Sequence, residues 1–286
     1  MNQSNLQNQI IEIKNLSFRY QNQKNEILKN INLEIEKGSI VLVCGPTGSG
    51  KTTLIRLLNG LIPHFHEGFL EGTVLIDGIN TQSEKIPNLA QKVGMVFQNP
   101  DNQLVSSSCI REIAFGPENI GLVRDEIKHR VDKIVEYLGL NEILDSPPTE
   151  LSGGQKQKVA IASALALEPK ILVFDEPSSN LDPLSTQNLI KIINNINDEL
   201  KTTIVIVEHK LEYFLNIATH IICIKDGEIE LFGKTNEVVE NEKFYDIGIQ
   251  IPPFLRLFYG LKKIKAYDGR LPLFSAEGIK ILKNLI

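Results

Sequence analysis

The sequence predicts an α/β fold in which a mainly parallel β-sheet is flanked by helices. Short apolar runs typical of buried strands occur at residues 39–44, 171–174, 203–207 and 221–224, and helical patterns separate the last three of them. A glycine-rich turn joins the first run to a predicted helix over residues 52–59. Because neighbouring parallel strands need a crossover connection, this alternation favours a parallel sheet covered on both faces.

The N-terminal part of the chain predicts a separate antiparallel β subdomain. Residues 10–40 alternate in short apolar segments, which is typical of strands with one buried face. Two further strands are expected at residues 74–76 and 93–97.

The middle of the chain predicts a helical subdomain. Residues 99–137 have a helical pattern, with an apolar face at 3.6-residue spacing. That face comprises Ile127, Val131, Ile134, Val135 and Leu138. Pro147 and Pro148 interrupt the chain before another helix, which we expect to reach about residue 167.

The composition is that of an ordinary globular protein and excludes some classes of function. The chain has 286 residues, 42% hydrophobic and 23% charged, enough for one large domain with a smaller appendage. A net charge of -5 provides no basic surface for wrapping nucleic acid, so no nucleic-acid partner is expected. Cys44, Cys109 and Cys223 show no CxxC spacing, which favours a reducing cytosol over a disulfide framework or zinc site.

Neither a signal peptide nor a membrane span is expected. Residues 1–9 are polar and lack basic and apolar signal regions. No apolar run approaches the ~20 residues that a spanning helix needs. Any membrane role is therefore expected to be performed from the cytosolic side through a partner.

The glycine-rich turn has the sequence of a phosphate-binding loop. Its residues are Gly45, Pro46, Thr47, Gly48, Ser49, Gly50, Lys51 and Thr52. The glycines let consecutive backbone N–H groups face an anion, and the following helix adds the positive end of its dipole. Lys51 is expected to reach the β- and γ-phosphates and the Thr52 hydroxyl to bind Mg²⁺, with Thr53 also in the ATP site. The strand before the loop and the helix after it favour a P-loop NTPase over a chance match.

Two acidic residues follow the apolar strand at residues 171–174. Asp175 is expected at the carboxyl edge of the sheet, where α/β proteins bind ligands and where a carboxylate suits Mg²⁺. Since strand side chains alternate, Glu176 is expected to point elsewhere and to accept a proton from the attacking water, or orient it. The alternative for the pair is a solvated strand end.

Gln98 and His209 each come just after a predicted core strand, near the expected γ-phosphate position. A histidine there could hydrogen-bond the phosphate or the water. From spacing alone, a structural role is the favoured interpretation of both residues.

The segment Leu151-Ser152-Gly153-Gly154-Gln155 resembles the signature sequence of ABC-type ATPases. The resemblance covers at least residues 11–233 and implies that the signature of one subunit closes over ATP held by the P-loop of another. It therefore implies a head-to-tail dimer with a second ABC ATPase, identical or paralogous.

The resemblance also implies roles for single residues. Tyr20 matches the aromatic residue that stacks on adenine, and Gln98 matches the Q-loop glutamine, which would join Thr52 and Asp175 at Mg²⁺. Glu176 matches the catalytic glutamate and His209 the switch histidine, so that Lys51, Glu176 and His209 form the implied catalytic set. Asp182 belongs to the D-loop, Ser179-Asn180-Leu181-Asp182. One local departure is Glu208-His209-Lys210, where many members have Thr-His-Asp.

Within that family, residues 96–104 and 115–119 resemble the ATPases of energy-coupling factor importers, which take up vitamins, cobalt or nickel. This implies a transmembrane coupling subunit, a substrate-binding membrane subunit and a peripheral location at the cytoplasmic face of the membrane. An ordinary importer with two permease subunits explains the core motifs equally well. A soluble ABC ATPase acting on DNA or ribosomes is less favoured, because the chain has one cassette and no heptad-rich insertion.

Three segments remain open. Residues 99–111 are expected to transmit motion to the membrane partner, although residues 105–108 could simply begin a surface helix. His64 and His66 with Glu67 could bind a metal, but a plain loop is favoured. We expect an ATP-binding domain at residues 10–239, with its helical subdomain at about 99–165. Residues 240–286 would form a small appendage that either serves dimerisation or folds onto its own domain.

Overall fold

The computed structural model describes residues 8–285, and the chain forms two β-sheets surrounded by helices. Residues 1–7 of the polar N-terminal segment, and Ile286 of the expected C-terminal appendage, lie outside the described residues. The strands are β1 (Gln9–Tyr20), β2 (Leu28–Glu36), β3 (Ile40–Cys44), β4 (Gly68–Ile76), β5 (Ile79–Asn80), β6 (Val93–Val96), β7 (Ile171–Asp175), β8 (Thr203–Val207), β9 (His220–Lys225) and β10 (Glu228–Lys234).

The larger sheet has six strands in the order β10-β9-β3-β8-β7-β6. β9, β3, β8, β7 and β6 run parallel, which confirms the predicted mainly parallel sheet. The antiparallel edge strand β10 was not predicted. Because β3, β8, β7 and β6 point the same way, the residues that follow them meet at one edge of the sheet.

The smaller sheet is antiparallel, in the order β2-β1-β4-β5, and confirms the predicted β subdomain. Alternate residues of β2 are buried, so one face of this sheet packs on the interior. Its apolar residues share a core with one face of the larger sheet and with the helix that follows β3.

The helices cover the larger sheet and form the middle and C-terminal parts of the chain. They are α1 (Lys51–Leu58), α2 (Leu61–His64), α3 (Ile86–Ala90), α4 (Cys109–Asn119), α5 (Arg124–Leu138), α6 (Gly153–Leu165), α7 (Pro183–Leu200), α8 (Thr235–Glu240), α9 (Glu242–Asp246), α10 (Pro253–Lys263) and α11 (Ser275–Leu285). Within residues 8–285, none of them combines the length and the apolar character needed to cross a bilayer.

The predicted helical pattern from residue 99 onwards is wrong for its first ten residues. Only a short 3-10 turn, Pro100–Asn102, forms there, and α4 begins at Cys109. The backbone N–H groups of Val105 and Ser106 donate to the buried carboxylate of Glu112, at 2.9 and 2.7 Å. These donors are therefore used by a side chain, which holds residues 105–106 in a loop. Residues 105–108 do not begin a helix.

The C-terminal residues pack onto the rest of the chain. Phe244, Leu255 and Phe258 are fully buried, and they belong to the same apolar cluster as Leu42 of β3 and Ile206 of β8. The C-terminal residues therefore pack against their own chain, and a role of the appendage in dimerisation stays a prediction.

Candidate ATP-binding and hydrolysis site

The P-loop follows β3 and has a backbone that requires glycine at two positions. Gly45 has φ +156°, and a Cβ atom there would lie 2.1 Å from the carbonyl oxygen of Ile224. Gly50 has φ +105°, and its Cβ would lie 2.9 Å from the carbonyl oxygen of Ile27. Only glycine fits these conformations and close approaches without strain. The loop therefore curls tightly before α1 begins.

Lys51 is buried inside this loop. Its Nζ donates to the carbonyl oxygens of Gly45 and Pro46, both at 2.9 Å, and the residue is 5% exposed. Burial lowers the pKa of Lys51, and the nearby carboxylates of Glu176 and Asp175 oppose that shift. An ammonium group held in this way is preorganised to meet an anion that enters the loop.

The loop also contains a buried polar atom that the protein does not satisfy. Among the described residues, Oγ of Ser49 has no hydrogen-bond partner although it is buried. Buried polar atoms normally have partners, so an unpaired one inside an anion-binding loop fits a ligand at this position.

A pocket of about 260 Å³ lies beside the loop and brings many of the predicted residues together. We call it the P-loop pocket; it is lined by Tyr20, Ile27, Thr47, Gly48, Gly50, Lys51, Thr52, Thr53, Glu176 and His209. Sequence reasoning missed Ile27. The hydroxyl of Tyr20 lies 3.3 Å from Oγ1 of Thr53, and the edge-to-face packing of Phe18 also supports the Tyr20 ring. The predicted adenine-stacking residue thus lines the same pocket as the predicted phosphate-binding residues.

Glu176 follows β7, and the prediction that strand alternation sets the direction of its side chain is wrong. Its backbone does not continue the strand but is left-handed, with φ +46°. Its N–H donates to the carbonyl oxygen of Val207 at 2.9 Å, which continues the pairing of β7 with β8. A left-handed glutamate costs about 1–2 kcal/mol, and such strain persists only where surrounding contacts hold it. The turn directs Glu176 into the P-loop pocket.

Gln98 and His209 contact the carboxylate of Glu176. Nε2 of Gln98 donates to Oε2 at 2.8 Å, and Nε2 of His209 lies 3.3 Å from Oε1. The sequence prediction that both residues lie just past core strands is confirmed. Gln98, Glu176 and His209, which follow three different strands, therefore form one cluster of polar side chains.

Asp175 ends β7 and lies close to the other charged groups of the site. Burial, with the neighbouring charge of Glu176, raises the pKa of Asp175 to about 6, while Arg56 and Lys51 act in the opposite direction. A bound divalent cation would favour the charged carboxylate. Thr52, Asp175 and Gln98 offer hydroxyl, carboxylate and amide oxygen, the hard donors that Mg²⁺ prefers. The donor chemistry of the predicted magnesium set therefore fits the ion.

Gln103, which sequence reasoning missed, holds the segment that carries Gln98. Its Oε1 accepts the N–H of Phe97 at 3.0 Å and its Nε2 donates to the carbonyl oxygen of Met95 at 3.2 Å. β6 is the last strand of the sheet, so this side-chain amide takes the place of a neighbouring strand. Asp101 of the same segment pairs with Lys156 of α6 at 2.6 Å.

The signature residues lie at the start of α6. Ser152 and Gln155 form a capping box, in which Ser152 N–H donates to Oε1 of Gln155 at 2.9 Å and the Ser152 hydroxyl accepts the N–H of Gln155 at 3.4 Å. Ser152, Gly154 and Gln155 line a pocket of about 270 Å³, and Gly153 lines another together with Gln98. Among the described residues, no signature residue lines the P-loop pocket.

Asp182, the predicted D-loop residue, caps α7. Its Oδ1 accepts the N–H groups of Leu184 and Ser185 at 2.9 and 3.0 Å, and its Oδ2 accepts the Ser185 hydroxyl. The hydrogen bond from Ser185 lowers the pKa of Asp182. The cap fixes the end of the loop that connects Glu176 to α7.

The alternative metal site at His64, His66 and Glu67 has other contacts. Nε2 of His64 lies 3.0 Å from the carbonyl oxygen of Thr81, and the His66 ring lies edge-on to Tyr20 with centroids 6.4 Å apart. Within residues 8–285, no group of three or more His, Cys, Asp and Glu is arranged to hold a metal.

Comparison with known proteins agrees with this geometry. A family model described as ABC transporter matches residues 28–179. An ABC transporter ATP-binding protein of Pyrococcus horikoshii is 42% identical over 275 residues, 96% of each chain.

Solved structures are also similar. The structure of cbiO1 from Clostridium perfringens, part of the ABC transporter complex cbiONQ, is 32% identical with a TM-score of 0.74, covering 88% of this chain and 99% of that one. The ATP-binding cassette MJ0796, solved as a dimer bound to ADP and phosphate, is 30% identical with a TM-score of 0.68, covering 79% and 99%. The chain, with its P-loop NTPase fold, belongs to the ABC transporter family as an ATP-binding protein.

Proposed function

We propose that this chain hydrolyses ATP with Glu176 as the general base. The observation that carries the proposal is the contact of the Glu176 carboxylate with both Gln98 and His209, since Glu176 and His209 also line the P-loop pocket. A base must be oriented toward the proton it accepts, and general-base groups contribute about 10²–10⁴-fold to a rate. His209 is suited to hold the γ-phosphate or the water once ATP occupies the pocket.

The P-loop binds the phosphates in this proposal. The amides of the curled loop and the N-terminus of α1 offset negative charge, and Lys51 exchanges its carbonyl contacts for the β- and γ-phosphates. Tyr20 stacks on the adenine. Thr52, Asp175 and Gln98 are the residues that would hold Mg²⁺, which would supply positive charge against the negative charge of the phosphates.

A complete site needs two subunits. The signature residues Ser152–Gln155 line pockets other than the P-loop pocket, which supports their action on ATP held by a partner. The dimer of MJ0796 is a precedent for such pairing. We assign residues 10–239 to the ATP-binding domain and residues 240–286 to the appendage. The partner cassette is an identical or paralogous copy.

The hydrolysis powers uptake of a vitamin, cobalt or nickel through an energy-coupling factor complex. This is supported by the motifs at residues 96–104 and 115–119, and by similarity to cbiO1, a subunit of cbiONQ. The chain would bind a transmembrane coupling subunit at the cytoplasmic face, alongside a substrate-binding membrane subunit. An ordinary importer with two permeases is the second candidate.

Exposed apolar side chains close to Gln98 in the sequence support a membrane partner. Val105 is 74% exposed, Val123 72% and Phe115 49%, while Phe97 and Ile110 are each 39% exposed. Apolar side chains exposed to solvent are typical of an interaction site when they form a patch. Val105 and Ile110 lie within the segment 99–111 that we expect to transmit motion from Gln98 to the coupling subunit, and the other three lie on either side of it in the sequence.

The test is to tag the chain in its native host, extract the membranes in mild detergent and identify the co-purifying proteins by mass spectrometry. One transmembrane coupling subunit with a second cassette and small substrate-binding membrane proteins would support the energy-coupling assignment. Two large permeases with an external binding protein would replace it with the ordinary importer. Soluble partners alone would contradict transport.

A further inference from the structure

Glu208 is a buried carboxylate that accepts four hydrogen bonds. It is 2% exposed. Its Oε2 accepts from the hydroxyl and the backbone N–H of Ser178 at 2.6 and 3.3 Å, and its Oε1 accepts from the N–H groups of His209 and Lys210 at 2.7 and 3.1 Å. A carboxylate can be buried when several donors satisfy both of its oxygens.

These donors belong to two loops at the edge of the sheet. Ser178 follows β7 and lies two residues after Glu176, whereas His209 and Lys210 follow β8. β7 and β8 are neighbours, and their ladder ends with the bond from Glu176 N–H to the Val207 carbonyl. Beyond that point Glu208 continues the connection through its side chain.

The two loops carry Glu176 and His209, whose side chains must lie in contact if they act together on ATP. Glu176 has a strained left-handed backbone, and its carboxylate lies 3.3 Å from Nε2 of His209. The Ser178 contacts fix the turn just after Glu176, and the contact with the His209 N–H fixes the backbone of the histidine itself. Displacing either loop by about 1 Å would separate the two side chains, and misplacement on that scale costs about 10²-fold in rate.

We infer that Glu208 is a positioning residue for ATP hydrolysis, which sets the distance between the loop of Glu176 and the loop of His209. The inference rests on the proposed function, because it matters only if Glu176 and His209 act on ATP. Glu208 touches no reacting atom in this arrangement; its effect passes through the backbone of its neighbours. It also gives a physical role to the local departure Glu208-His209-Lys210 noted in the sequence.

The substitutions at Glu208 differ in how many of its four hydrogen bonds they keep. Glu208→Ala removes both acceptor oxygens and therefore all four bonds. Glu208→Gln keeps one oxygen for the N–H groups of His209 and Lys210, and its amide can donate to the Ser178 hydroxyl, so that only the long bond from the Ser178 N–H is lost.

Thr235→Ala is the control. Thr235 is also buried, at 3% exposure, and its hydroxyl holds a loop by donating to the carbonyl oxygen of Ala218 at 2.6 Å. That loop precedes β9, whereas Glu176 follows the parallel strand β7, so the two lie at opposite edges of the sheet.

Each full-length variant is purified together with the same partners that co-purify with the tagged wild-type chain. The experiment then measures kcat and KM for ATP, and the midpoint of thermal unfolding. We expect Glu208→Ala to lower kcat about 10–100-fold while KM changes less than about threefold. Glu208→Gln should recover kcat to within about threefold of wild type, and Thr235→Ala should lose thermal stability without this fall in kcat. If Glu208→Ala does not fold, Ser178→Ala takes its place, with an expected loss of about three- to tenfold in kcat.

Unchanged kcat in Glu208→Ala, or an equal loss of kcat in Thr235→Ala, would overturn the inference. A fall in kcat in Glu208→Gln that is as large as the fall in Glu208→Ala would also overturn it. Absence of hydrolysis in the wild-type assembly is a different result, since it would contradict the proposed function itself.

Discussion

Nε2 of Gln98 donates a 2.8 Å hydrogen bond to Oε2 of Glu176, a residue 78 positions later in the chain. The bond joins the loops that follow two neighbouring strands, β6 and β7. Together with His209 it holds the carboxylate on two sides. The candidate base is therefore oriented by the side chains of two other protein residues.

Replacing Glu176 with glutamine should separate binding from chemistry. Glutamine keeps the size of the side chain but is not a base, so we expect kcat to fall about 10²–10⁴-fold. The affinity for ATP should stay within about threefold, because the P-loop is unchanged. Hydrolysis assays and calorimetric titration with ATP measure the two quantities. Glu228→Gln on β10 is the exposed control, and full hydrolysis by Glu176→Gln would remove this residue from its role.

Gln103→Ala should reduce activity by releasing the segment that carries Gln98. The substitution leaves the Met95 carbonyl and Phe97 N–H without their side-chain partner, at a cost of about 1–2 kcal/mol in the free energy of unfolding. We expect kcat to fall about three- to tenfold, since Gln98 then orients Glu176 less often. Urea denaturation and hydrolysis rates test this. Gln187→Ala, an exposed glutamine of α7, should change neither.

Asp175→Asn should change the pH dependence of stability. The pKa of Asp175 is raised to about 6, above the value of about 3.9 in an unfolded chain. The folded protein therefore retains a proton between about pH 4 and pH 6 that the unfolded chain releases, and the free energy of unfolding falls as pH rises through this window. Asparagine removes that dependence.

Without Mg²⁺ or nucleotide, the stability of Asp175→Asn relative to wild type should be about 1–3 kcal/mol greater at pH 7.5 than at pH 4.5. Urea denaturation at the two pH values gives this difference. Asp132→Asn, at an exposed position of α5, is the matched control. If the stability of Asp175→Asn relative to wild type is the same at both pH values, the pKa of Asp175 is not raised in the folded protein.

Two glycines should respond to alanine in opposite directions. Gly50→Ala places a methyl group 2.7 Å from Cδ2 of Leu28 and 2.9 Å from a carbonyl oxygen, at φ +105°. We expect it to destabilise the protein by about 1–3 kcal/mol and to weaken ATP binding at least tenfold. Gly260 lies exposed in α10 with nothing within 4 Å of its Cβ position, so Gly260→Ala should stabilise by about 0.5–1 kcal/mol. Thermal midpoints and ATP titrations distinguish the two.

The central sheet could be predicted from sequence because its strands are short apolar runs buried on both faces. All five residues of β3 and of β8 are buried, and their sequences, IVLVC and TIVIV, indicate this directly. β10 was missed although it alternates between exposed and half-buried residues. It lacks a fully buried face, so its apolar signal is weak.

The motif residues could be placed, whereas the contacts that hold them could not. The P-loop and its flanking elements are contiguous in sequence, so local pattern describes them. Glu208 meets Ser178, 30 residues away, and the left-handed turn at Glu176 has no signal in its own residue type. Gln103 bonds to the free edge of β6, and β6 can be recognised as an edge strand only when the order of strands in the sheet is known. Such contacts depend on tertiary structure and leave no periodic pattern.

The burial of the C-terminal residues has a consequence for the synthesis of the protein. Leu255, Phe258 and Leu271 share an apolar cluster with the strands of the larger sheet, yet they are translated after all of these strands. At roughly 5–20 residues per second, a ribosome needs on the order of a few seconds to extend the chain from β9 to Leu271. During that interval part of the apolar surface of the newly made cassette faces water, and this is the period in which a chaperone would bind it.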